Sequence, residues 1–123
     1  MNKVVLVVED DPRSLKLTRD MLTISGYDSI PAVDGEQGVQ IAKTQKPDLI
    51  LMDIMMPKMD GYTACHALKA DAATKDIPVI MVTSVGFELN KVLAGQFGAA
   101  GYITKPVDRQ ELVNKIKPFL EKT

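Results

Sequence analysis

Three acids, a hydroxyl and an amine stand where apolar runs of this sequence stop. Glu9 and Asp10 follow Val4–Val8, Asp53 follows Leu49–Met52, Thr83 and Ser84 follow Val79–Val82, and Lys105-Pro106 comes shortly after Tyr102–Ile103. If one fold gathers these ends, three carboxylates share a crevice. Carboxylates a few ångströms apart repel, and ionising all of them is costly without compensation. A divalent cation relieves that cost, and oxygen-only ligation with room for waters suits Mg²⁺. No His or Cys stands among these residues, which argues against zinc. A carboxylate nucleophile, Mg²⁺, a hydroxyl and a lysine are the parts that phosphoryl transfer needs: Asp53 attacks, while the metal and Lys105 neutralise the equatorial oxygens.

Asp10 and Asp53 lie 43 positions apart, so only tertiary structure can bring them together. The runs named above, with a weaker one at Asp28–Ala32, read as strands. Val4–Val8 and Leu49–Met52 are apolar without alternation, as central parallel strands should be. Helical spacing fills the intervals. Asp11-Pro12 opens the first helix as N-cap and N1, its inward stripe is Leu15, Thr18, Met21 and Leu22, and Gly26 ends it. Asp34-Gly35 opens a second, with Val39 and Ala42 inward. Asp60-Gly61 opens a third that runs to about Lys69, and a fourth is expected over Glu88–Phe97, stopped by Gly98. Asp108 caps the fifth, with Glu111 as its capping-box partner. Pro118 falls inside that last helix, which should kink or end near Lys117.

Strand and helix alternate five times, which implies an α/β fold, a doubly wound parallel sheet with helices on both faces. The common five-strand order is the flavodoxin-like 2-1-3-4-5. Ligands of such sheets bind beyond the C-terminal strand ends where the order reverses, here between strands one and three. That is where Glu9, Asp10 and Asp53 would meet.

Length and composition narrow the class. The chain has 123 residues, 46 % hydrophobic and 25 % charged, enough for one domain over residues 1–123 with its own core. The formal net charge is −1 and the basic residues form no run, which argues against a nucleic-acid surface. One cysteine, Cys65, allows no intrachain disulfide and suits a reducing, cytoplasmic compartment. No apolar stretch approaches the roughly 20 residues that span a bilayer. Val4–Val8 is too short for a signal peptide and is cut by Glu9-Asp10-Asp11.

With these residues in place the whole chain resembles the receiver domain of bacterial two-component response regulators, chemotaxis-regulator-like and single-domain. The resemblance rests on Val7-Val8-Glu9-Asp10-Asp11, Leu51-Met52-Asp53-Ile54-Met55-Met56-Pro57, Asp60-Gly61, Val79-Ile80-Met81-Val82-Thr83-Ser84 and Gly101-Tyr102-Ile103-Thr104-Lys105-Pro106. It implies that Asp53 is the phosphoacceptor, Asp10 a direct Mg²⁺ ligand, and Glu9 an acidic neighbour acting through water. Met55 would lend a backbone carbonyl to the metal. Thr83 would bind the phosphoryl group, Lys105 would neutralise it across a cis bond to Pro106, and Tyr102 would follow the state of Thr83. A histidine kinase or phosphotransfer protein would supply the phosphoryl group. The surface of the fourth helix, fifth strand and fifth helix, with Asn90, Lys91, Gln96 and Arg109, would then change for a downstream protein target. The chain would be a monomer or a weak phosphorylation-dependent dimer, with no direct contact to nucleic acid or membrane.

Two positions depart from what relatives often carry. Met55, two after Asp53, and Val85, two after Thr83, are apolar and cannot orient an attacking water, so slow self-dephosphorylation is expected. Three rival readings are weaker. A haloacid-dehalogenase-like phosphatase would need an acid where Met55 stands. A flavin carrier would need Ser, Thr and Gly where Glu9-Asp10-Asp11-Pro12 stand. A receiver that no longer takes phosphate would have lost part of the residue set. Cys65, His66 and the seven methionines read as packing or loop residues.

Overall fold

Apolar residues without alternation need cover on two sides, and the structure supplies it. In the computed structural model, residues 2–84 and 95–121 are described. They contain strands β1 (Val4–Val8), β2 (Asp28–Ala32), β3 (Leu49–Asp53), β4 (Val79–Thr83) and β5 (Gly101–Thr104). All pair in parallel, in the order β2-β1-β3-β4-β5. Helices α1 (Pro12–Ile24), α2 (Gly35–Gln45), α3 (Gly61–Ala70) and α4 (Arg109–Leu120) connect and cover them. This is the expected flavodoxin-like arrangement. Most of the helix expected over Glu88–Phe97 lies outside the described residues, so four helices are described, and α4 corresponds to the expected fifth.

Side chains alternate across each strand and build one core on either face of the sheet. Leu6, Val8, Ile50, Met52, Val79 and Met81 pack with Ala42, Ala64, Cys65 and Leu68 from α2 and α3. Val5, Val7, Leu49, Leu51, Ile80, Val82 and Ile103 pack with Leu22 from α1 and Leu112, Ile116 and Leu120 from α4. Each fully buried Leu or Ile contributes about 1.5–3 kcal/mol. β2 is weaker in sequence because it is an edge strand. Its Pro31, set opposite Val7, cannot donate to a ladder on both sides and is tolerated there.

The caps were legible. Asp11, Asp34, Asp60 and Asp108 each accept a hydrogen bond from a first-turn N–H of the helix they precede. Gly26, with φ 92, turns the chain out of α1. Its N–H and that of Tyr27 donate to the carbonyls of Thr23 and Leu22, which closes a Schellman motif. β3 and β4 each run one residue beyond the apolar run, because Asp53 pairs with Val82 and Thr83 with Thr104.

Of the two outcomes expected at Pro118, a kink or an end near Lys117, the second is not found. The last helix does not end near Lys117 but continues through Pro118 to Leu120. Pro118 is exposed and one turn from the helix end, so the bond it cannot donate would have reached the carbonyl of exposed Asn114. Past it, Leu120 is buried and Phe119 packs against the α1/α4 core, and Tyr27 donates to Glu121 through its hydroxyl. These contacts outweigh the proline.

Replacing Pro118 with Ala is therefore expected to stabilise the fold, by at most the ~3 kcal/mol that proline costs inside a helix. A urea midpoint that rises without a change in slope would meet the expectation; one that falls would contradict it.

Candidate functional site

The site begins with where the strands stop. β1 ends at Val8, yet the Glu9 N–H donates to the Ala32 carbonyl at 2.9 Å and continues the pairing with β2. Glu9 is thereby held in line with the strand, and Asp10 turns outward. Asp53 is the last residue of β3 and Thr83 the last of β4. Beyond β5 the Lys105 N–H donates to the Thr83 carbonyl at 2.6 Å. The Lys105–Pro106 bond is cis.

Glu9, Asp10 and Asp53 each bring a carboxylate oxygen within 4.8 Å of the others. Glu9 and Asp53 are each 5 % exposed, whereas Asp10 faces solvent. Lys105 reaches in from the side. Its Nζ lies 2.6 Å from Glu9 Oε1 and 3.5 Å from Asp53 Oδ2. The other oxygen of Glu9 accepts from the Asp11 N–H at 3.1 Å.

Charge in this notch is out of balance. Burial, then the adjacent Glu9 carboxylate, pushes the Asp53 carboxyl up to about 7 against the pull of Lys105 and the Met55 N–H. Burial also works against ionised Glu9, but hydrogen bonds from Asp53, Lys105 and the Asp11 N–H hold it below the usual range. Below about pH 7, Asp53 is thus the acid of the pair that keeps its proton, and Glu9 is the one that gives it up. Lys105 is burdened by burial too, and the bond to Glu9 with the charge of Asp53 keeps its ammonium protonated above the ordinary value. One ammonium faces three carboxyl groups, all of their donor atoms are oxygen, and Asp10 opens to water. That set fits a hard divalent cation such as Mg²⁺, with Glu9, Asp10 and Asp53 as the residues able to hold it.

The other sequence candidates lie around this notch. Thr83 is buried at the same rim. Alternation puts its side chain on the face of Met81, and Met81 is opposite Tyr102. Thr83 and Tyr102 are therefore diagonal neighbours on the α2/α3 side. Tyr102 is half-buried against that core, and Lys115 Nζ sits 5.5 Å from its ring centroid. The Met55 side chain is 70 % exposed beside Asp53. Val85, Asn90 and Lys91 lie outside the described residues; Gln96 and Arg109 are exposed. Cys65 is buried and donates to the Phe97 carbonyl at 3.2 Å, while His66 is exposed with its ring edge-on to Phe97.

Two features were missed from sequence. Glu9 meets Lys105 directly, a contact that spans 96 positions and reaches across β3 and β4, which separate β1 from β5 in the sheet. Gly61 does more than open α3. Its N–H donates to the Ile54 carbonyl at 2.8 Å, and a Cβ there would stand 2.3 Å from the Asp53 carbonyl oxygen. The dipeptide Asp60-Gly61 was the available signal, because a glycine inside a helix N-terminus suggests close backbone approach.

Comparison with known proteins agrees with this geometry. The family model for the response regulator receiver domain matches residues 5–117. The chain is 40 % identical over 119 residues to the DNA-binding dual master transcriptional regulator RpaA of Synechocystis, covering 97 % of this chain and 49 % of that protein. It thus spans about half the length of RpaA, as it does of other relatives. It is also 40 % identical over 116 residues to Protein PilH of Pseudomonas aeruginosa, covering 94 % and 96 % of the two chains. Among solved structures, the receiver domain of a sensor histidine kinase from P. aeruginosa, with magnesium ion coordinated in its active site cleft, superposes with a TM-score of 0.90 at 31 % identity over 98 % of each chain.

The raised Asp53 carboxyl fixes a pH dependence. In the unfolded chain this group loses its proton near its ordinary value of 3.8; in the fold it keeps it until about 7. Between those values the native state binds the extra proton, so stability contributed at low pH is lost as pH rises. In chelator, Asp53→Asn is therefore expected to leave the melting temperature nearly unchanged at pH 4.5 and to raise it at pH 8. Equal differences at both pH values would contradict the assignment.

Proposed function

This chain belongs to the response regulator receiver domain family, and on that premise we propose that it is a phosphorylation-operated switch in which Asp53 is the phosphoacceptor. The observation that carries the reading is the meeting of Glu9, Asp10 and Asp53 with Lys105 at one rim of the sheet. A phosphohistidine on a histidine kinase or phosphotransfer protein is the proposed donor. An Asp53 carboxylate oxygen attacks phosphorus, the bond from phosphorus to the donor nitrogen breaks, and an acyl phosphate forms. Losing its proton readies Asp53 for attack. Lys105, already shared between Glu9 and Asp53, lies within reach of the new anionic oxygens. Bound Mg²⁺, held by Glu9, Asp10, Asp53 and the Met55 carbonyl, would supply charge neutralisation for the transferring group. The chain acts as an acceptor that assists its own modification, not as a turnover enzyme.

The proposed output is a two-state shift. Thr83 is the group that would bind the phosphoryl oxygens, and its diagonal neighbour Tyr102 is placed to respond when Thr83 moves. The phosphoryl group biases the states only by its differential interaction with them. The face that would read out the change comprises β5, α4 and the expected helix between β4 and β5. Its partner would be a protein target, and the chain would act in the cytoplasm as a monomer or a weak phosphorylation-dependent dimer. Among the described residues no helix is long and apolar enough to cross a membrane.

Labelled acetyl phosphate with Mg²⁺ tests the reading. The parent is expected to take up label that Asp53→Asn abolishes; equal uptake by the variant would overturn it. With Met55 exposed and apolar, no side chain at that position orients a water, and the label is expected to persist for minutes or longer. A half-life of seconds would contradict that part.

A further inference from the structure

Among the described residues, Met55 is a large apolar side chain close to Asp53 that the fold leaves exposed. Met52 and Met81 are fully buried, Met56 and Met59 pack against the α2/α3 core, and Met21 packs against the other core. Met55 is 70 % exposed, on the rim of a cleft of about 420 Å³ that Ile54, Met56, Pro57, Asp60 and Tyr62 help to line. Its own N–H bonds to the Asp53 carboxylate, so its thioether is a short side chain away from the acceptor. The thiol of the chain's one cysteine is shielded. Cys65 is fully buried, engaged with the Phe97 carbonyl, and burial pushes its thiol up.

An oxidant reaches a thioether in proportion to its exposure, and oxidation turns an apolar side chain into one with a strong hydrogen-bond acceptor. We propose that Met55 is a redox-modification site: a peroxide converts its thioether to a sulfoxide, and the new oxygen shortens the life of the phosphoryl group on Asp53. In the oxidation the peroxide O–O bond breaks, one oxygen joins sulfur, and water leaves; sulfur loses two electrons and the peroxide gains them. In the step it hastens, a water oxygen attacks phosphorus, the bond to the Asp53 oxygen breaks, and carboxylate and inorganic phosphate separate. The sulfoxide oxygen accepts a hydrogen bond from that water and holds it beside the acyl phosphate, where the thioether offers nothing comparable. The consequence for lifetime rests on the acceptor role of Asp53 proposed above; the selectivity of oxidation does not.

The experiment treats the full chain with hydrogen peroxide and maps the added oxygen by peptide mass spectrometry. The protein is then loaded from labelled acetyl phosphate with Mg²⁺ and the label followed as it decays. Met55 is expected to oxidise before Met56 and Met59, and decay to quicken about two- to tenfold, the worth of one net hydrogen bond. Methionine sulfoxide reductase should restore the slow rate. Met55→Leu should make decay indifferent to peroxide, and Met55→Gln should decay fast without it. Oxidation beginning elsewhere, or a fully oxidised Met55 with unaltered decay, would overturn the inference. A failure of the acceptor reading looks different: untreated protein would take up no label at all.

Discussion

Two carboxylates, Glu9 and Asp53, are buried side by side at the end of a parallel sheet, and much of this molecule is arranged around that cost. Desolvation and like charge both resist ionisation. The fold answers with Lys105, with the Asp11 N–H on Glu9, and with a proton kept on Asp53 up to about pH 7. None of these balances the notch fully. A site left in that condition favours whatever brings positive charge to it, and it responds strongly when its own charge is rewritten. A bound cation would relieve that excess of negative charge, and the proposed phosphorylation of Asp53 would add to it.

Holding such a site demands backbone that does not give. β1 and β3 adjoin in the sheet, with Val8 opposite Met52, so the residues that follow each come out beside one another. The Glu9 N–H on Ala32 and the Lys105 N–H on Thr83 extend strand pairing one step past the assigned ends. Gly61 lets α3 start hard against the carbonyl of Asp53. Asp53 therefore sits on rigid elements, while Asp10, Met55 and Ser84 stand exposed at the surface around it.

Much of the architecture could be read from the chain because its cues are local. Runs such as Val4–Val8 and Leu49–Met52 mark buried parallel strands, and Asp11, Asp34, Asp60 and Asp108 mark helix starts through hydrogen bonds only a few residues long. Pro31 was an available cue to the edge position of β2, a segment legible in the sequence only as a weaker strand. The helix running through Pro118 was not legible, since propensity there is overridden by Phe119, Leu120 and Glu121 meeting residues far away in sequence. The candidate site was legible as a set of strand-end residues, but not as a set of contacts. That Glu9 rather than Asp53 takes the shorter bond to Lys105, and that Met55 stands out in solvent while Met56 and Met59 tuck in, depend on tertiary packing that no local pattern encodes.

The most direct measurement is a thermal melt of the metal-stripped chain titrated with MgCl₂ at constant ionic strength and pH 7.5, run beside Asp10→Asn. Asp10 is exposed and its replacement spares the core, so both proteins should fold. The account predicts a melting temperature that climbs with Mg²⁺ in the parent and saturates, with the climb largely gone in the variant. A parent indifferent to millimolar Mg²⁺, or a variant that gains as much as the parent, would contradict the claim that these strand ends form one cation-seeking notch.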